Sequence, residues 1–160
     1  MNASHAVMIV DVQRAFSPPP EFVARIERYS RRFSCRILTR FVNPPRSLHR
    51  RVLREKSCAP GSTDLELLIS PRAGDVVFDK IGRYGLTPAQ VRRLQSQGIR
   101  RVTVCGLDTD ACVLAVMFAL FDAGIECRLR EDLSWSSTGL QAQALAIVRA
   151  QFRPVRKRMT

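Results

Sequence analysis

Three residues bring a carboxylate, an amine and a thiol to places where chemistry can start: Asp11, Lys80 and Cys112. Asp11 closes the apolar run HAVMIVDV and Lys80 closes DVVFDK. Cys112 comes one short turn after RVTVCG, at the head of the apolar stretch DACVLAVMFALFDAG. A carboxylate within reach of a thiol can take its proton, and a nearby ammonium favours the thiolate that results. The first turn of a helix adds the positive end of the aligned peptide dipoles, which also favours thiolate. Taken singly, each residue has a plainer role: a cap or ion-pair partner for Asp11, a surface charge for Lys80, core packing for Cys112. Together, at three strand ends, a carboxylate, an amine and a thiol can converge on one side of the sheet. Lysine identity adds weight, because the chain has 23 arginines but lysine only at positions 56, 80 and 157. A compact ammonium after VVF indicates a site where a guanidinium fork would not serve.

Five strand-like runs, HAVMIV, CRILTRFV, DVVFDK, RVTVCG and IECRLRED, alternate with helical segments. FVARIERYSRRF has apolar residues at helical spacing. TPAQVRRLQSQGI is punctuated by Thr87 as cap, Pro88 at the first helical position and Gly98 as stop. DACVLAVMFALFDAG is apolar almost all round, so a buried helix is expected, capped by Thr109 or Asp110 and ended by Gly124. Ser136 or Ser137 is the expected cap of LQAQALAIVRAQF, and RPVRKRMT makes either a sixth, edge strand or a basic tail. Between Val42 and Gly74, LHRRVLRE and DLELL are each expected to form a short helix. The alternation predicts an α/β fold of one domain over residues 1–160. It is a three-layer α/β/α arrangement in which an open, doubly wound, mostly parallel, Rossmann-like sheet of five to six strands lies between helices. Such sheets bind ligands beyond the carboxyl ends of their strands, where Asp11, Lys80 and Cys112 all fall.

Composition excludes several alternatives. A chain of 160 residues with 46% hydrophobic and 25% charged residues can bury a core without staples. Apolar runs such as Val113 to Phe121 are too short to span a membrane, and MNASHAVMIVDV has no basic n-region or cleavage site. The expected location is the cytoplasm. Five cysteines without a C-x-x-C pair disfavour a disulfide framework and a structural zinc site. Cys35, Cys105 and Cys127 are expected to be buried hydrophobes. The net charge of +12 raises polyanion binding, but the arginines are scattered and no nucleic-acid module is present, so a nucleic-acid partner is disfavoured.

VDVQRAF, FDK followed by IGRYG, and GLDTDACV resemble, in order and spacing, the signature segments of the isochorismatase-like cysteine hydrolases, the superfamily of nicotinamidases and N-carbamoylsarcosine amidases. PGSTDLELLISPRAGD resembles the family's approach to its lysine, so the likeness covers nearly the whole chain. The resemblance implies a strand order of 3-2-1-4-5-6, Cys112 as nucleophile, Asp11 as base and acid, and Lys80 as the cation of a triad. It also implies a cis peptide between Leu107 and Asp108, with the amides of Asp108 and Cys112 forming an oxyanion hole. The implied activity is hydrolysis of a C–N bond in a small amide or carbamoyl substrate through a thioester. Self-association into a homo-oligomer is implied as well.

The sequence departs from the nicotinamidases in lacking their Asp-x-His-x-x-His segment. TRFVNPPRSLHRR offers His49 alone and His5 precedes the first strand, so neither a catalytic metal nor another cofactor is expected. Phe16, Arg40, Arg83, Tyr84 and Trp135 fall near strand exits and are candidate substrate-binding residues. An arginine among them would suit an anionic substrate. The competing functions are a catalytically silent binding or regulatory protein of the same fold, and a basic polyanion-binding protein.

Overall fold

The structure is a computed structural model that describes residues 4–152. The expected sixth strand or tail at RPVRKRMT lies outside the described residues.

After the exposed His5, AVMIV is apolar throughout because its strand, β1 (His5–Val10), is covered on both faces. Successive side chains alternate, so Ala6, Met8 and Val10 enter one core cluster while Val7 and Ile9 enter the other. Around it lie β2 (Arg36–Val42), β3 (Val76–Ile81), β4 (Arg101–Leu107) and β5 (Glu126–Trp135), all parallel, in the order β3-β2-β1-β4-β5. These five strands are the predicted α/β sheet.

Helix α1 (Pro20–Ser30) puts Phe22 and Ile26 against the cluster containing Ile9 and Leu107. The opposite cluster receives Val91 and Leu94 of α3 (Pro88–Ser96), Val116, Met117 and Leu120 of α4 (Leu114–Asp122), and Ala144 and Val148 of α5 (Gln141–Gln151). Helix α3 starts as expected: Thr87 Oγ1 accepts from the Gln90 amide at 3.1 Å, and Gln90 Oε1 accepts from the Thr87 amide at 2.9 Å. Within these residues no helix is long and apolar enough to cross a membrane.

Several local expectations are corrected. LHRRVLRE yields only one turn, α2 (Leu48–Arg51), and DLELL only a 3₁₀ turn at Thr63–Leu65. The rest of that segment is tied down by side chains instead. Helix α4 is not buried all round: it packs one face on the sheet, while Phe118 and Phe121 lean on Phe152 and remain exposed. A π-helical turn, Thr109–Val113, precedes α4, and neither expected residue caps it. The Thr109 hydroxyl is buried without a hydrogen-bond partner among the described residues, and the Asp110 carboxylate accepts from Ser136 and Thr138. Ser136 and Ser137 accordingly serve Asp110 and Asp108 rather than α5, whose first turn follows Leu140.

The cysteine expectations hold for Cys105 and Cys127, which are buried, while Cys35 is half-buried just before β2. Among the described residues one arginine reaches the interior, which was unforeseen. Arg36 is fully buried and bonds Asp75 at 2.6 Å, with Ser30 Oγ and the Ser70 carbonyl taking its remaining donors.

Candidate active site

The alternation of β3 decides where its lysine goes. Val76, Phe78 and Lys80 are buried while Val77 and Ile81 face solvent, so Lys80 occupies an inward position usually reserved for an apolar side chain. Its stem runs past β2, with Nζ 5.8 Å from the centre of the Phe41 ring. It ends 2.6 Å from Asp11 Oδ2 and donates to the Tyr84 carbonyl at 2.7 Å. Asp11 and Lys80 are both fully shielded from solvent.

Asp11 is held by β2. Thr39 Oγ1 donates to Asp11 Oδ1 at 2.6 Å and accepts from the Asp11 amide at 3.2 Å. With Oδ1 occupied by Thr39, Oδ2 makes the ion contact with Lys80 and has no other hydrogen-bond partner among the described residues. It is the oxygen free to exchange a proton. The Asp11 backbone has φ of 47°, a left-handed conformation that Asp tolerates better than most residues and that is commonly found at functional turns.

Cys112 is buried in the π-helical turn after β4. Gly106 sets the approach of that strand: its φ is 115°, and a Cβ there would meet the Val10 carbonyl oxygen at 2.2 Å. Only glycine lets β4 lie this close to the end of β1, so the turn carrying Cys112 comes beside Asp11. The Leu107–Asp108 peptide is cis. Asp108 accepts from the Ser137 amide and hydroxyl, both at 2.8 Å.

The electrostatics differ from the thiolate expected of a helix start beside an ammonium. Burial raises the Cys112 thiol well above its ordinary range, the Asp11 charge raises it further, and Lys80 offsets only part of this. Burial alone would lower the Lys80 ammonium, but Asp11 and then Cys112 more than compensate and hold it above its usual value. Burial thus favours the thiol form of Cys112 beside the Asp11–Lys80 ion pair.

Above Cys112 opens a cleft of about 230 Å³, built from loops at the carboxyl ends of the strands. Phe16 and Tyr84, two of the five candidate substrate-binding residues, line it. The other three do not. Arg40 alternates to the face opposite Phe41 and is bound to Asp79 at 2.8 and 2.9 Å. Arg83 is tied to the carbonyls of Gly85 and Leu86 and borders a separate groove beside α3 and α4. Trp135 packs near Phe22 of α1, with ring centres 6.4 Å apart. The support these arginines offered for an anionic substrate is thereby lost.

Sequence reasoning missed Phe41, His49 and Glu55 of the lining. Phe41 was recoverable from strand alternation, two residues after Thr39. His49 is buried with its ring edge-on between Phe41 and Tyr84, at centre distances of 4.7 and 4.6 Å. Burial, and then Lys80, lower its pKa. Among the described residues no group of three His, Cys, Asp or Glu side chains is placed to hold a metal ion.

Also unforeseen is the buried Gln13. Its carboxamide accepts from the Phe41 amide at 2.8 Å and donates to the Phe41 and Leu65 carbonyls and to Cys58 Sγ. Asn43 complements it by donating to the carbonyls of Glu55 and Ser57. Together they anchor the loop that forms the cleft rim.

The isochorismatase domain model matches residues 5–158. No curated protein sequence matches the chain. Among solved structures, the pyrazinamidase of Pyrococcus horikoshii in complex with zinc is similar with a TM-score of 0.84 at 21% identity, over 94% of this chain and 97% of that one. The L. infantum protein PnC1 in complex with nicotinate has a TM-score of 0.81 at 20% identity, covering 94% and 90% of the respective chains. N-carbamoylsarcosine amidase from Thermoplasma acidophilum has a TM-score of 0.76 at 22% identity, covering 91% and 92%. His49 is wedged between the Phe41 and Tyr84 rings, and among the described residues it belongs to no group of three side chains placed to hold a metal ion. These likenesses speak to the fold, and the family model, spanning nearly the whole sequence, speaks to membership: the chain belongs to the isochorismatase family of hydrolases.

Proposed function

We propose that this protein is a cysteine amidohydrolase that cleaves the C–N bond of a small amide or carbamoyl compound. The observation that carries this reading is the fully buried Asp11–Lys80 pair at 2.6 Å, set beneath a cleft whose lining includes Cys112. A structural ion pair has no need of a nucleophile at the bottom of a cavity.

The chemistry follows from the resting protonation. Asp11 Oδ2 takes the Cys112 proton as Sγ attacks the substrate carbonyl, so charge leaves the carboxylate and appears on the carbonyl oxygen. Lys80, beside both groups, keeps the pair at constant overall charge and favours the ionised form of each in turn. The backbone amides of Asp108 and Cys112 receive the oxyanion, a contribution of about 3 kcal/mol per donor. Asp11 returns the proton to the nitrogen, which departs as ammonia or an amine and leaves a thioester on Cys112. Water, deprotonated by the same carboxylate, then releases the acid and restores the thiol. Phe16, Phe41, His49 and Tyr84 form the walls against which the substrate packs. No step is routed through a metal or cofactor.

Incubation with a panel of small primary amides and carbamoyl compounds, with ammonia as readout, tests the proposal. Turnover is expected for the protein and lost in Cys112→Ala, and a stalled thioester adds the acyl mass to the intact chain. Ammonia release that survives Cys112→Ala overturns the mechanism.

A further inference from the structure

The charge of the cleft is opposite to that of the molecule. The chain carries +12, yet no lysine or arginine side chain lines the cleft; its ionisable lining is Glu55, Asp108, His49, Tyr84 and Cys112. Lys80 lies beneath, neutralised by Asp11 at 2.6 Å. His49 is kept neutral by its burial and by Lys80. Neither Glu55 nor Asp108 joins any ion pair among the described residues, whereas Glu66, Glu126, Glu131 and Asp132 are each paired with arginine. Glu55 Oε1 is oriented by the Ser57 amide at 2.8 Å and the Ser57 hydroxyl at 2.7 Å, bonds that hold this carboxyl below its usual range. Glu55 is exposed at the rim, facing a wall made by Phe41, His49 and Tyr84. Aromatic faces with one carboxylate make a receptor for a cation and leave an anion unpaired.

Building on the amidohydrolase reading, we propose that this cleft selects a cationic amide: a small substrate whose far end from the scissile carbonyl bears an ammonium, received by Glu55 and the aromatic wall. Asp108, deeper and bonded to Ser137, is a second carboxyl along the path; burial raises its pKa, so Glu55 carries the selection. The basic exterior takes no part in recognition and repels such a substrate at long range, so the selection is local to the cleft.

Three matched probes of nearly equal size test this: 4-(aminomethyl)benzamide, 4-methylbenzamide and 4-carbamoylbenzoate, titrated calorimetrically into the full-length Cys112→Ala protein. The cationic probe is expected to bind about tenfold more tightly than the neutral one, with the anion weakest. In the Glu55→Gln background the cationic and neutral probes come within about twofold of each other, while Ser57→Ala, which keeps the charge, retains the preference. Equal or weaker binding of the cation, tightest binding of the anion, no binding of any probe, or a preference that persists in Glu55→Gln each overturns the proposal. Ammonia release by the unmodified protein separates the two readings. A cation preference without any turnover leaves the selection standing and removes the amidase, whereas turnover with the reverse preference removes the selection alone.

Discussion

Lys80 Nζ lies 2.6 Å from Asp11 Oδ2, although the two residues come from strands with β2 between them and neither has any exposure to solvent. Adjacent strands are about 4.8 Å apart, so the contact requires the full length of the lysine stem to pass β2. Arginine at position 80 would bring a planar fork to a carboxylate that already gives one oxygen to Thr39.

Removing one member of this pair leaves the other charged in the interior. Lys80→Met is expected to lower unfolding free energy by about 3–5 kcal/mol and to abolish turnover. Asp11→Asn combined with Lys80→Met should recover most of the stability and none of the activity, since both charges are then gone. Urea titrations of the three proteins check this; a Lys80→Met variant as stable as the parent would contradict the burial argument.

The raised Cys112 thiol predicts slow modification at rest. At pH 7 iodoacetamide should alkylate Cys112 no faster than it alkylates free cysteine. Asp11→Asn, by removing the neighbouring negative charge and leaving Lys80, should speed alkylation about tenfold while eliminating turnover. Peptide mapping by mass spectrometry distinguishes Cys112 from the other thiols, and an unchanged or lower rate in Asp11→Asn would argue against this electrostatic assignment.

Buried thiols also predict alkaline sensitivity. Burial raises Cys58, Cys105 and Cys127 from 9.0 to about 12, and Cys112 shifts in the same direction. The folded state holds these protons more tightly than the unfolded state does, so their contribution is complete below pH 9 and is lost as pH rises towards 12. Between those limits stability should fall by up to about 1.4 kcal/mol per pH unit for each thiol. Urea midpoints from pH 8 to 11 measure the slope, and Cys105→Ala should make it shallower.

Gly106→Ala should be among the most damaging single methyl additions in the chain. Its Cβ would sit 2.2 Å from the Val10 carbonyl oxygen at a φ of 115°. A loss of about 3 kcal/mol or more is expected, because the Val10 atoms it meets are backbone and cannot swing aside. Thermal unfolding measures the loss, and a shift of only a degree or two would contradict the close approach of β4 to β1.

Gln13→Leu should loosen the cleft rim. It orphans the Phe41 amide and the Phe41 and Leu65 carbonyls, an expected cost of about 3 kcal/mol. Limited proteolysis should then cut the loop from Val52 to Ser62 earlier than in the parent protein, while Gln13→Glu, which keeps the acceptor for the Phe41 amide, should be cut at an intermediate rate.

Much of the sheet is legible in the residues because buried parallel strands are largely apolar, as AVMIV of β1 is, and because Thr87, Pro88 and Gly98 punctuate α3 locally. Asp11, Lys80 and Cys112 are legible as chemistry because each interrupts or follows an apolar run with a reactive group. The lining is less so. Arg40 and Phe41 are neighbours in sequence, yet one pairs with Asp79 outside the cleft and the other forms its wall. Only the strand register separates them. Arg83 and Trp135 sit at strand exits as foreseen, but backbone carbonyls and the α1 face hold them elsewhere.

By itself the sequence determined the alternation of strands and helices, the identity of the three reactive groups and the excess of arginine, because periodicity and residue chemistry are local properties. The tertiary structure alone decided that burial shifts Cys112 towards the thiol, that His49 becomes a wall and that the cleft of a basic protein is lined by Glu55 and Asp108 but by no arginine or lysine. Those outcomes depend on burial and on distances between residues far apart in the chain, and a carboxylate can shift a thiol or attract a cation only once folding has excluded the water between them.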